Sequence, residues 1–412
     1  MSNKDITEIT GYIDLQPIWP DYPQTAVEEG MVKMQIIESP SVYEAPIFFN
    51  PVMVLNRDFS LLFSKLYSQS VNHPIRVFEP LAGVGIRGFR LCIEIADAIE
   101  EVVICDFNDL TIQVANYNLN HLQLKQKIRL FQRECRSLAY QLTEYYQKYH
   151  YVDLDPFGSP MPFIDSIWNV MTLRSLVAVT ATDMTALCGV YPDACLRKYG
   201  SIPLNNFHTH ETAARILIAA VVKSASRHER GVKPIFTSSA DHYVKIFFLS
   251  RKGRGEANAA VELIGFSYTC DGCSQIYYRK GLFEHHVQCC GDLKQAGPLW
   301  AGNIFDKEWC SLAITELGQT EDKSNFPSLA THKRMSKLLI EGRDGHHLPG
   351  YYVMSELSKR FGIVQPKFAV FKEKLNELGF DCVQSRFVKQ AFRSNASGAV
   401  IKEILISLSL QK

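Results

Sequence analysis

An acidic and an aromatic residue lie two positions apart at Asp155 and Phe157, within the run YVDLDPFGSP. The aliphatic residues before Asp155 predict a strand, and the Pro, Gly and Ser that follow predict a tight turn. A carboxylate and backbone carbonyls in such a turn can accept N–H bonds from an amine on a nucleobase, whose delocalised lone pair makes it a poor nucleophile. Phe157 would offer a face for the base to stack on. The pattern also fits an ordinary strand and turn with a buried phenylalanine.

A glycine-rich loop, in which Gly83 and Gly85 stand two residues apart, follows a predicted strand and opens a predicted helix. Glycines at this spacing allow a tight turn and a close approach of the backbone to a nucleotide. Asp106, about 20 positions on, stands where a carboxylate binds ribose hydroxyls. The pattern fits a nicotinamide cofactor as well as S-adenosylmethionine, but only a methyltransferase has a use for the acidic and aromatic turn. Such an enzyme would also read adenine near the third strand, where Glu134 and Cys135 lie.

These motifs are distributed over an alternation of short apolar runs and longer helical patterns. The predicted strands are residues 75–78, 101–105, 128–131, 151–154 and 176–180, and the predicted helices are residues 52–67, 88–98, 110–122, 162–171 and 211–228. This rhythm predicts an α/β fold, a doubly wound sheet with helices on both faces. A last pair of strands, 233–238 and 243–249, lies too close together for a crossover helix, so we expect an antiparallel hairpin at one edge.

A polar segment at residues 251–256 is interpreted as a linker between two domains. Residues 1–252 would form the sheet domain, and residues 253–412 a smaller α+β domain. The smaller domain is predicted to contain a Cys-rich segment at 270–291, a helical region at 331–380, and two strand-like segments at 381–391 and 398–408.

Composition limits the class of protein. The 412 residues are 46% hydrophobic and 21% charged, as in a globular protein, and the sequence shows no signal peptide and no membrane span. Eleven cysteines without a disulfide-like framework favour a reducing cytoplasm. The net charge of +1 does not indicate nucleic-acid binding, although residues 321–412 carry 15 Lys and Arg against 9 Asp and Glu. That excess fits either a solvated surface or a face that follows phosphates.

Several strings together resemble one family, the tRNA guanine-N2 dimethyltransferases that modify guanosine 26. The strings are FFNPVMVLNRD from Phe48, GIRGFR from Gly85, QRECRSL from Gln132, VDLDPFGSP from Val152, TATDMTALCGVYPDACLRKYG from Thr180 and GPLWAGNIFD from Gly297. They span most of the chain in one order. The resemblance implies a class I, Rossmann-like methyltransferase domain followed by a C-terminal domain that helps to hold tRNA.

The resemblance also implies roles for single residues. Arg57 and Arg87 look like S-adenosylmethionine contacts, since an arginine can bind the methionine carboxylate through two hydrogen bonds. By the same resemblance Asp106 would bind the ribose, Glu134 and Cys135 the adenine edge, and Asp155 with Phe157 the target guanine. The family usually has Asp-Ala where this chain has Glu134-Cys135, so the adenine contact is expected to differ in detail.

The spacing of the cysteines indicates a metal site. Cys270 and Cys273 form a Cys-x-x-Cys pair, and Cys289 and Cys290 follow after an aromatic and basic stretch. Two such pairs can complete a closed tetrahedral zinc site that braces the domain and leaves no open position for catalysis. The second pair is irregular, because Cys289 and Cys290 are adjacent and do not form a second Cys-x-x-Cys. The fourth ligand is therefore either Cys289 or His286, with Cys289 preferred, or the site is vestigial.

The functional prediction is an S-adenosylmethionine-dependent tRNA guanine-N2 methyltransferase that adds one and then two methyl groups at guanosine 26, with a neighbouring guanosine as a second candidate acceptor. Two alternatives remain at this point. A DNA amino-methyltransferase meets the same lone-pair problem at an exocyclic nitrogen, and a non-catalytic RNA-binding relative could have kept the fold. The expected partner is tRNA, with no membrane and no obligate protein partner.

Overall fold

The structure is a computed structural model, and it describes residues 22–38, 46–122, 124, 126–240, 242–283, 286–319 and 329–410. The chain forms two compact units. The first contains Met1–Thr180, Phe247–Lys252 and Leu312–Ser336, and the second contains Ala181–Ile246, Gly253–Ser311 and Lys337–Lys412. The units interleave along the chain, and the expected boundary after residue 252 coincides with one of the points where the chain passes between them. The assignment of two domains to 1–252 and 253–412 stays a prediction.

Strands and helices alternate through the first half of the chain. The strands are β1 (Gln24–Glu29), β2 (Val32–Ile37), β3 (Ile75–Glu79), β4 (Ile99–Asp106), β5 (Lys127–Gln132), β6 (Tyr149–Leu154), β7 (Met171–Ala181), β8 (Arg230–Ala240), β9 (Tyr243–Lys252), β10 (Ile264–Cys270), β11 (Ile276–Lys280), β12 (Leu293–Trp300), β13 (Tyr352–Val353), β14 (Cys382–Gln384) and β15 (Ala391–Ser394). The helices are α1 (Val54–Val71), α2 (Ile86–Glu94), α3 (Asp109–His121), α4 (Cys135–Glu144), α5 (Met161–Ile167), α6 (Met184–Leu187), α7 (Pro192–Tyr199), α8 (Thr209–Arg227), α9 (Arg254–Val261), α10 (Lys307–Gln319), α11 (Leu329–Asp344), α12 (Met354–Phe361), α13 (Phe368–Glu377) and α14 (Gly398–Leu410).

The described residues contain a seven-stranded sheet of order β5-β4-β3-β6-β7-β9-β8. The pairs β3–β4, β4–β5, β3–β6 and β6–β7 are parallel. Strands β8 and β9 are neighbours joined by two residues, which makes them an antiparallel hairpin because parallel neighbours need a longer crossover. The expected doubly wound sheet with an antiparallel edge hairpin is therefore confirmed, and the predicted bounds of its strands and helices lie within five residues of the observed ones.

The parallel strands form because their residues are apolar on both faces, as expected when helices cover a sheet on both sides. All residues of β6 except His150 are buried, and β4 is buried from Glu101 to Cys105. Helix α1 is capped by Asn72, which follows its last residue and adopts the left-handed conformation that commonly terminates helices.

The second unit contains two small antiparallel sheets, of order β11-β10-β12 and β13-β15-β14. The segment 398–408, expected to be a strand, lies in helix α14, so that expectation is wrong. Its Ile and Val residues favour strands locally, but the buried residues Ile401, Ile404, Leu405 and Leu408 recur with the three- and four-residue spacing of one helix face. The linker expected at 251–256 is also absent, since β9 ends at Lys252 and α9 begins at Arg254.

The helices of the described residues include none that is both long enough and apolar enough to cross a lipid bilayer.

Candidate active site

The candidate site lies at the edge of the sheet where the parallel strands end. Strand β3 pairs with β4 on one side and β6 on the other. Strands β4 and β5 therefore extend the sheet to one side of β3, and β6 and β7 extend it to the other side. In doubly wound sheets, ligands bind outside the carboxyl ends of the strands at such a point. Gly83 and Asp155 lie in the loops that follow β3 and β6, Asp106 is the last residue of β4, and all three belong to the first unit.

The two carboxylates at the end of β6 have different surroundings. Asp153 is 1% exposed and accepts hydrogen bonds from Tyr151 Oη (2.5 Å) and Ser60 Oγ (2.6 Å) through its Oδ2 atom. Asp155 lies just past the end of the strand, where its side chain is partly exposed. Asp155 is therefore the carboxylate that a ligand at the sheet edge can reach, and Asp153 is a buried anion behind it.

Arg87 joins these carboxylates. Its Nη2 atom donates to Asp155 Oδ2, and its Nη1 atom lies 3.4 Å from Asp153 Oδ1. The Nη2 atom also donates to Asn56 Oδ1 (3.1 Å). Asn56 lies one helical turn before Ser60 in α1. Burial alone would lower the pKa of the Arg87 guanidinium, but Asp153 and Asp155 raise it above its usual value. Arg87 is thus a permanent cation held between two carboxylates and an amide.

One donor of Arg87 is not used by these contacts. The Nε atom is buried and has no hydrogen-bond partner among the described residues. A buried N–H without a partner is costly to the folded state.

The glycine loop is shaped by two residues with positive φ. Gly83 (φ +55°) and Gly85 (φ +79°) adopt the left-handed conformation, and a Cβ on Gly83 would lie 3.0 Å from the Phe48 carbonyl oxygen. Gly83 N donates to Asp106 Oδ2 (3.0 Å), and Asn108 N donates to Asp106 Oδ1 (2.9 Å). Burial raises the pKa of Asp106 against the opposing effect of these backbone bonds. The loop and the predicted ribose carboxylate are therefore in direct contact.

Glu134 and Cys135 were predicted to contact adenine, and their side chains have structural roles. Glu134 caps α4, since its carboxylate accepts from Ser137 N (3.0 Å) and from Arg136 Nε (2.7 Å). Burial raises the pKa of the Cys135 thiol to about 12, so this thiol is a neutral group packed in the core. The backbone N–H of Cys135 belongs to the first turn of α4, where no helical carbonyl can accept it.

Arg57 is engaged by the N-terminal hairpin. Its Nε and Nη2 atoms donate to Glu29 at 2.6 and 2.5 Å, and Nη2 also donates to the Asn50 carbonyl oxygen (3.0 Å). Glu29 also binds Arg90 at 2.8 Å. A ligand carboxylate would have to use the remaining Nη1 atom of Arg57 or displace Glu29.

Two aromatic side chains at this edge, Phe48 and Phe107, were not assigned a role from the sequence. The ring of Phe157 is 63% exposed and meets the ring of Phe48 edge-on, with the centroids 4.1 Å apart and the planes at 67°. Phe107, directly after Asp106, is 72% exposed. The available signal for Phe48 was its place in the FFNP string, to which no role was given. The exposure of Phe107 could not be read from the sequence.

The predicted metal ligands come together in the second unit. The Sγ atoms of Cys270, Cys273, Cys289 and Cys290 all lie within 4.8 Å of one another. The separations are 3.9 Å between Cys270 and Cys290 and 3.4 Å between Cys273 and Cys289. Zinc–sulfur bonds of about 2.3 Å in a tetrahedron place sulfurs roughly 3.8 Å apart. The four thiols therefore fit one tetrahedral ion.

The backbone around the thiols is closely packed. Cys270 ends β10 and the second pair precedes β12, so both pairs lie at one end of the small sheet. Gly272 N donates to Cys270 Sγ (3.3 Å), and a Cβ on Gly272 would lie 2.9 Å from Cys290 Sγ. Tyr277 Oη donates to Cys289 Sγ (3.4 Å). Such outer hydrogen bonds to sulfur are typical of thiolate metal ligands.

Comparison with known proteins decides the family. The model of the N2,N2-dimethylguanosine tRNA methyltransferase family matches residues 27–406 of the chain. The chain belongs to this family. The resemblance noted from the sequence is confirmed, and so is the prediction that the protein is an enzyme, a tRNA guanine-N2 methyltransferase.

Curated relatives in the family have nearly the same length. A tRNA (guanine(26)-N(2))-dimethyltransferase of Methanobrevibacter smithii is 32% identical over 395 residues, which cover 94% of this chain and 99% of the relative. A tRNA (guanine(26)-N(2)/guanine(27)-N(2))-dimethyltransferase of Aquifex aeolicus is 30% identical, with 90% and 93% covered.

A solved family member has the same fold. Trm1 from Pyrococcus horikoshii, in complex with S-adenosyl-L-methionine, is 27% identical and superposes with a TM-score of 0.81, covering 92% of this chain and 99% of that one. This similarity confirms the Rossmann-like methyltransferase fold and supports S-adenosylmethionine as the cofactor of the family. The roles of single residues stay predictions.

Proposed function

We propose that this enzyme transfers methyl groups from S-adenosylmethionine to N2 of guanosine 26 in tRNA, first one and then a second. The observation that carries the proposal is the pairing of a reachable carboxylate, Asp155, with the exposed Phe157 ring at the sheet edge. The names of the relatives support position 26, and the Aquifex relative suggests that guanosine 27 is a second acceptor worth testing.

Asp155 would act on the amine of the guanine. Its Oδ2 atom is bonded to Arg87, which leaves Oδ1 to accept an N–H bond from N2 and then the proton that the nitrogen loses. Arg87 acts as a positioning residue, and Asp153 with Ser60 and Tyr151 fixes the guanidinium from behind. When bound, S-adenosylmethionine supplies an electrophilic methyl group on sulfonium, so orientation accounts for much of the expected rate.

Two phenylalanines would hold the guanine. Phe157 offers an exposed face for stacking, and Phe48 supports its edge. Removing a paired or stacked base from folded RNA costs a few kcal/mol, which stacking and phosphate contacts can offset.

The residues at the glycine loop fit the cofactor. Gly83 and Gly85 let the backbone approach it, and Asp106 would accept from the ribose hydroxyls. Arg87 would contact the methionine carboxylate, and because its Nε atom is buried, the guanidinium would have to turn toward the cofactor to do so.

Three further positions complete the cofactor proposal. Arg57 would assist Arg87 at the carboxylate through Nη1. The adenine would be read by the backbone N–H of Cys135 rather than its thiol, beside Glu134. Phe107 is placed next to the ribose carboxylate, where its exposed ring could pack on the adenine.

The proposal is tested by removing the N2 amine from the target nucleotide of the substrate. The full chain is incubated with methyl-labelled S-adenosylmethionine and three substrates: an unmodified tRNA transcript, the same tRNA with inosine at position 26, and duplex DNA. Inosine lacks only the N2 amine, so we expect label in the first tRNA and at least a 100-fold loss in the second. Mass spectrometry of the nucleosides then identifies the methylated position. Label in DNA alone, or equal label in both tRNAs, would contradict the proposal.

We also propose that Cys270, Cys273, Cys289 and Cys290 bind one structural zinc ion. The four thiols satisfy the ion without an open coordination position, so it would stabilise the β10–β12 sheet and take no part in methyl transfer. The alternative ligand His286 is exposed and does not belong to the cluster.

We expect one zinc per chain by atomic emission, released in full by a mercurial reagent that blocks thiols. Substitution of Cys289 by serine should abolish stoichiometric zinc and lower the free energy of unfolding by more than about 3 kcal/mol, seen as a fall in Tm of roughly 6–12 °C. The matched control is His286→Ala, which should retain the metal and the Tm. Loss of zinc in the histidine variant instead would transfer the fourth ligand to His286.

A cytoplasmic location is part of the proposal. Its support is that none of the eleven cysteines, all of which lie among the described residues, forms a disulfide.

A further inference from the structure

The second unit contains a cavity that none of the roles above uses. Its volume is about 900 Å³, within the range of sites that hold organic ligands. It is lined by the residues that precede and begin α8, by the turn that carries the first cysteine pair, by Lys294 of β12, and by α12 together with the segment before β15.

The charges around the cavity favour an anionic ligand. Lys294, Lys359, Arg360 and Lys389 line it, and all four are exposed. The carboxylates of the lining are Asp271, which pairs with Lys294 at 3.1 Å, and Glu356. Four cations against two carboxylates, drawn from separate segments of the chain, suit a ligand that carries several phosphates along its length.

Part of the cavity lining offers groups that suit nucleosides. The ring of Phe207 lies nearly parallel to that of Tyr352, with centroids 6.2 Å apart and planes at 17°. Asn205 is exposed and supplies an amide that can donate and accept, whereas the Asn206 amide is bonded to His208 and Thr269. Burial lowers the pKa of His210, so this ring adds no charge at neutral pH. RNA outside a regular helix is recognised by such aromatic faces and amides together with phosphate contacts.

One cation is held in place by the cysteine turn. Arg360 Nη1 donates to the Asp271 carbonyl oxygen (3.2 Å) and to Ser274 Oγ (3.1 Å). These acceptors flank Cys273 in the turn from Cys270 to Ser274. These two hydrogen bonds orient the guanidinium, and an oriented arginine can bind phosphate through two parallel hydrogen bonds.

We propose that this cavity binds a segment of the tRNA chain, with Lys359, Arg360 and Lys389 on its phosphates and Phe207 with Asn205 beside a base or ribose. The inference rests on the proposed function in that tRNA is the RNA concerned. It assigns the cysteine cluster a second task, which is to orient a phosphate contact.

The test compares two double variants with the same change in charge. Lys359→Glu/Lys389→Glu alters the cavity, and Lys280→Glu/Lys372→Glu alters exposed lysines of the same unit that do not line it. The Kd of the full chain for a tRNA transcript is measured by fluorescence anisotropy at several salt concentrations. The cavity variant should bind about 10- to 100-fold more weakly, and its slope of log Kd against log salt should fall by roughly 1.4–1.8 for two lost phosphate contacts.

Kinetics provide the second readout. In the cavity variant we expect KM for tRNA to rise with Kd, while kcat at saturating tRNA and KM for S-adenosylmethionine stay within twofold of the wild type. Ser274→Ala, which removes one anchor of Arg360 and changes no charge, should weaken tRNA binding by about two- to fivefold.

Two outcomes would overturn the inference. Equal weakening in both double variants would show only a general effect of charge. Unchanged tRNA binding in the cavity variant would leave the cavity to a small anionic ligand. Because Kd is measured without methyl transfer, a wild-type chain that binds tRNA through these lysines but methylates nothing would refute the proposed function and leave this inference standing.

Discussion

Replacement of Asp155 by asparagine is expected to lower kcat for methyl transfer to tRNA by about 10²–10⁴-fold, the usual contribution of a positioned acid or base. Asparagine keeps the shape of the side chain, but its amide is a much poorer proton acceptor. Its partner Arg87 would also lose a carboxylate. The measurement is a single-turnover assay with labelled S-adenosylmethionine and saturating tRNA, so that product release does not mask the chemical step.

The matched control is Asp109→Asn, which removes an exposed carboxylate from the first turn of α3 in the same unit. That variant should retain its rate within twofold. The Kd of Asp155→Asn for tRNA and for S-adenosylhomocysteine should change less than fivefold, which separates chemistry from binding. A rate within threefold of the wild type would remove Asp155 from the proposed mechanism.

The variant Asp153→Asn extends this test to the group behind the site. Asp153 touches Arg87, Ser60 and Tyr151 and is buried, so its effect on the reaction passes through the orientation of Arg87. A fall in kcat of roughly tenfold, with KM for tRNA unchanged, fits that role. Tyr151→Phe keeps the carboxylate and removes one of its donors, so it should lie between Asp153→Asn and the wild type.

The parallel sheet could be predicted because its strands are read from local composition. A strand covered on both faces is a nearly continuous apolar run, and β4 and β6 are of this kind. The glycine loop, Asp106 and Asp155 then fall at the same sheet edge, since parallel strands end together. The contact between Gly83 and Asp106 follows from that topology.

Helix α14 shows where local composition is not sufficient. Its Ile and Val residues favour extended structure, whereas the spacing of its buried apolar residues is that of one helix face. The helix is decided by the apolar surface that Ile401, Ile404, Leu405 and Leu408 share with α12, α13 and β15 in one core. Burial on a distant surface thus outweighs a weak local preference.

Partners far apart in the sequence were also beyond prediction. Arg57 could be identified as a functional arginine from its motif, but the carboxylate that binds it, Glu29, lies in a separate hairpin. Arg87 was assigned to the cofactor, and only the fold shows that it also holds Asp155. Buried charges must be paired, but the sequence does not tell which of many charges is the partner.

Glu211 in α8 is the clearest case of a buried charge whose partners could not be predicted from the sequence. Its replacement by glutamine is expected to lower the free energy of unfolding by about 3–5 kcal/mol. The carboxylate is fully buried and accepts from Arg215 Nε (2.8 Å), Arg393 Nη1 (2.7 Å) and Gly350 N (2.8 Å). An amide in its place would turn N–H groups toward a guanidinium and leave buried cations under-compensated. The measurement is urea unfolding followed by circular dichroism. Glu373→Gln, at an exposed carboxylate in α13, is the control and should stay within about 0.5 kcal/mol of the wild type.

The pH dependence identifies the cause of this destabilisation. Burial alone would raise the pKa of Glu211, but Arg393 and Arg215 outweigh it and hold the pKa at about 2, against 4.5 for an ordinary glutamate. A carboxyl whose pKa is lowered by folding stabilises the protein fully above pH 4.5 and loses that contribution as the pH falls towards 2. The difference between wild type and Glu211→Gln should therefore be constant from pH 7 to 5 and about 1.4 kcal/mol smaller at pH 3.5. A difference that does not change with pH would assign the loss to packing around the side chain rather than to its charge.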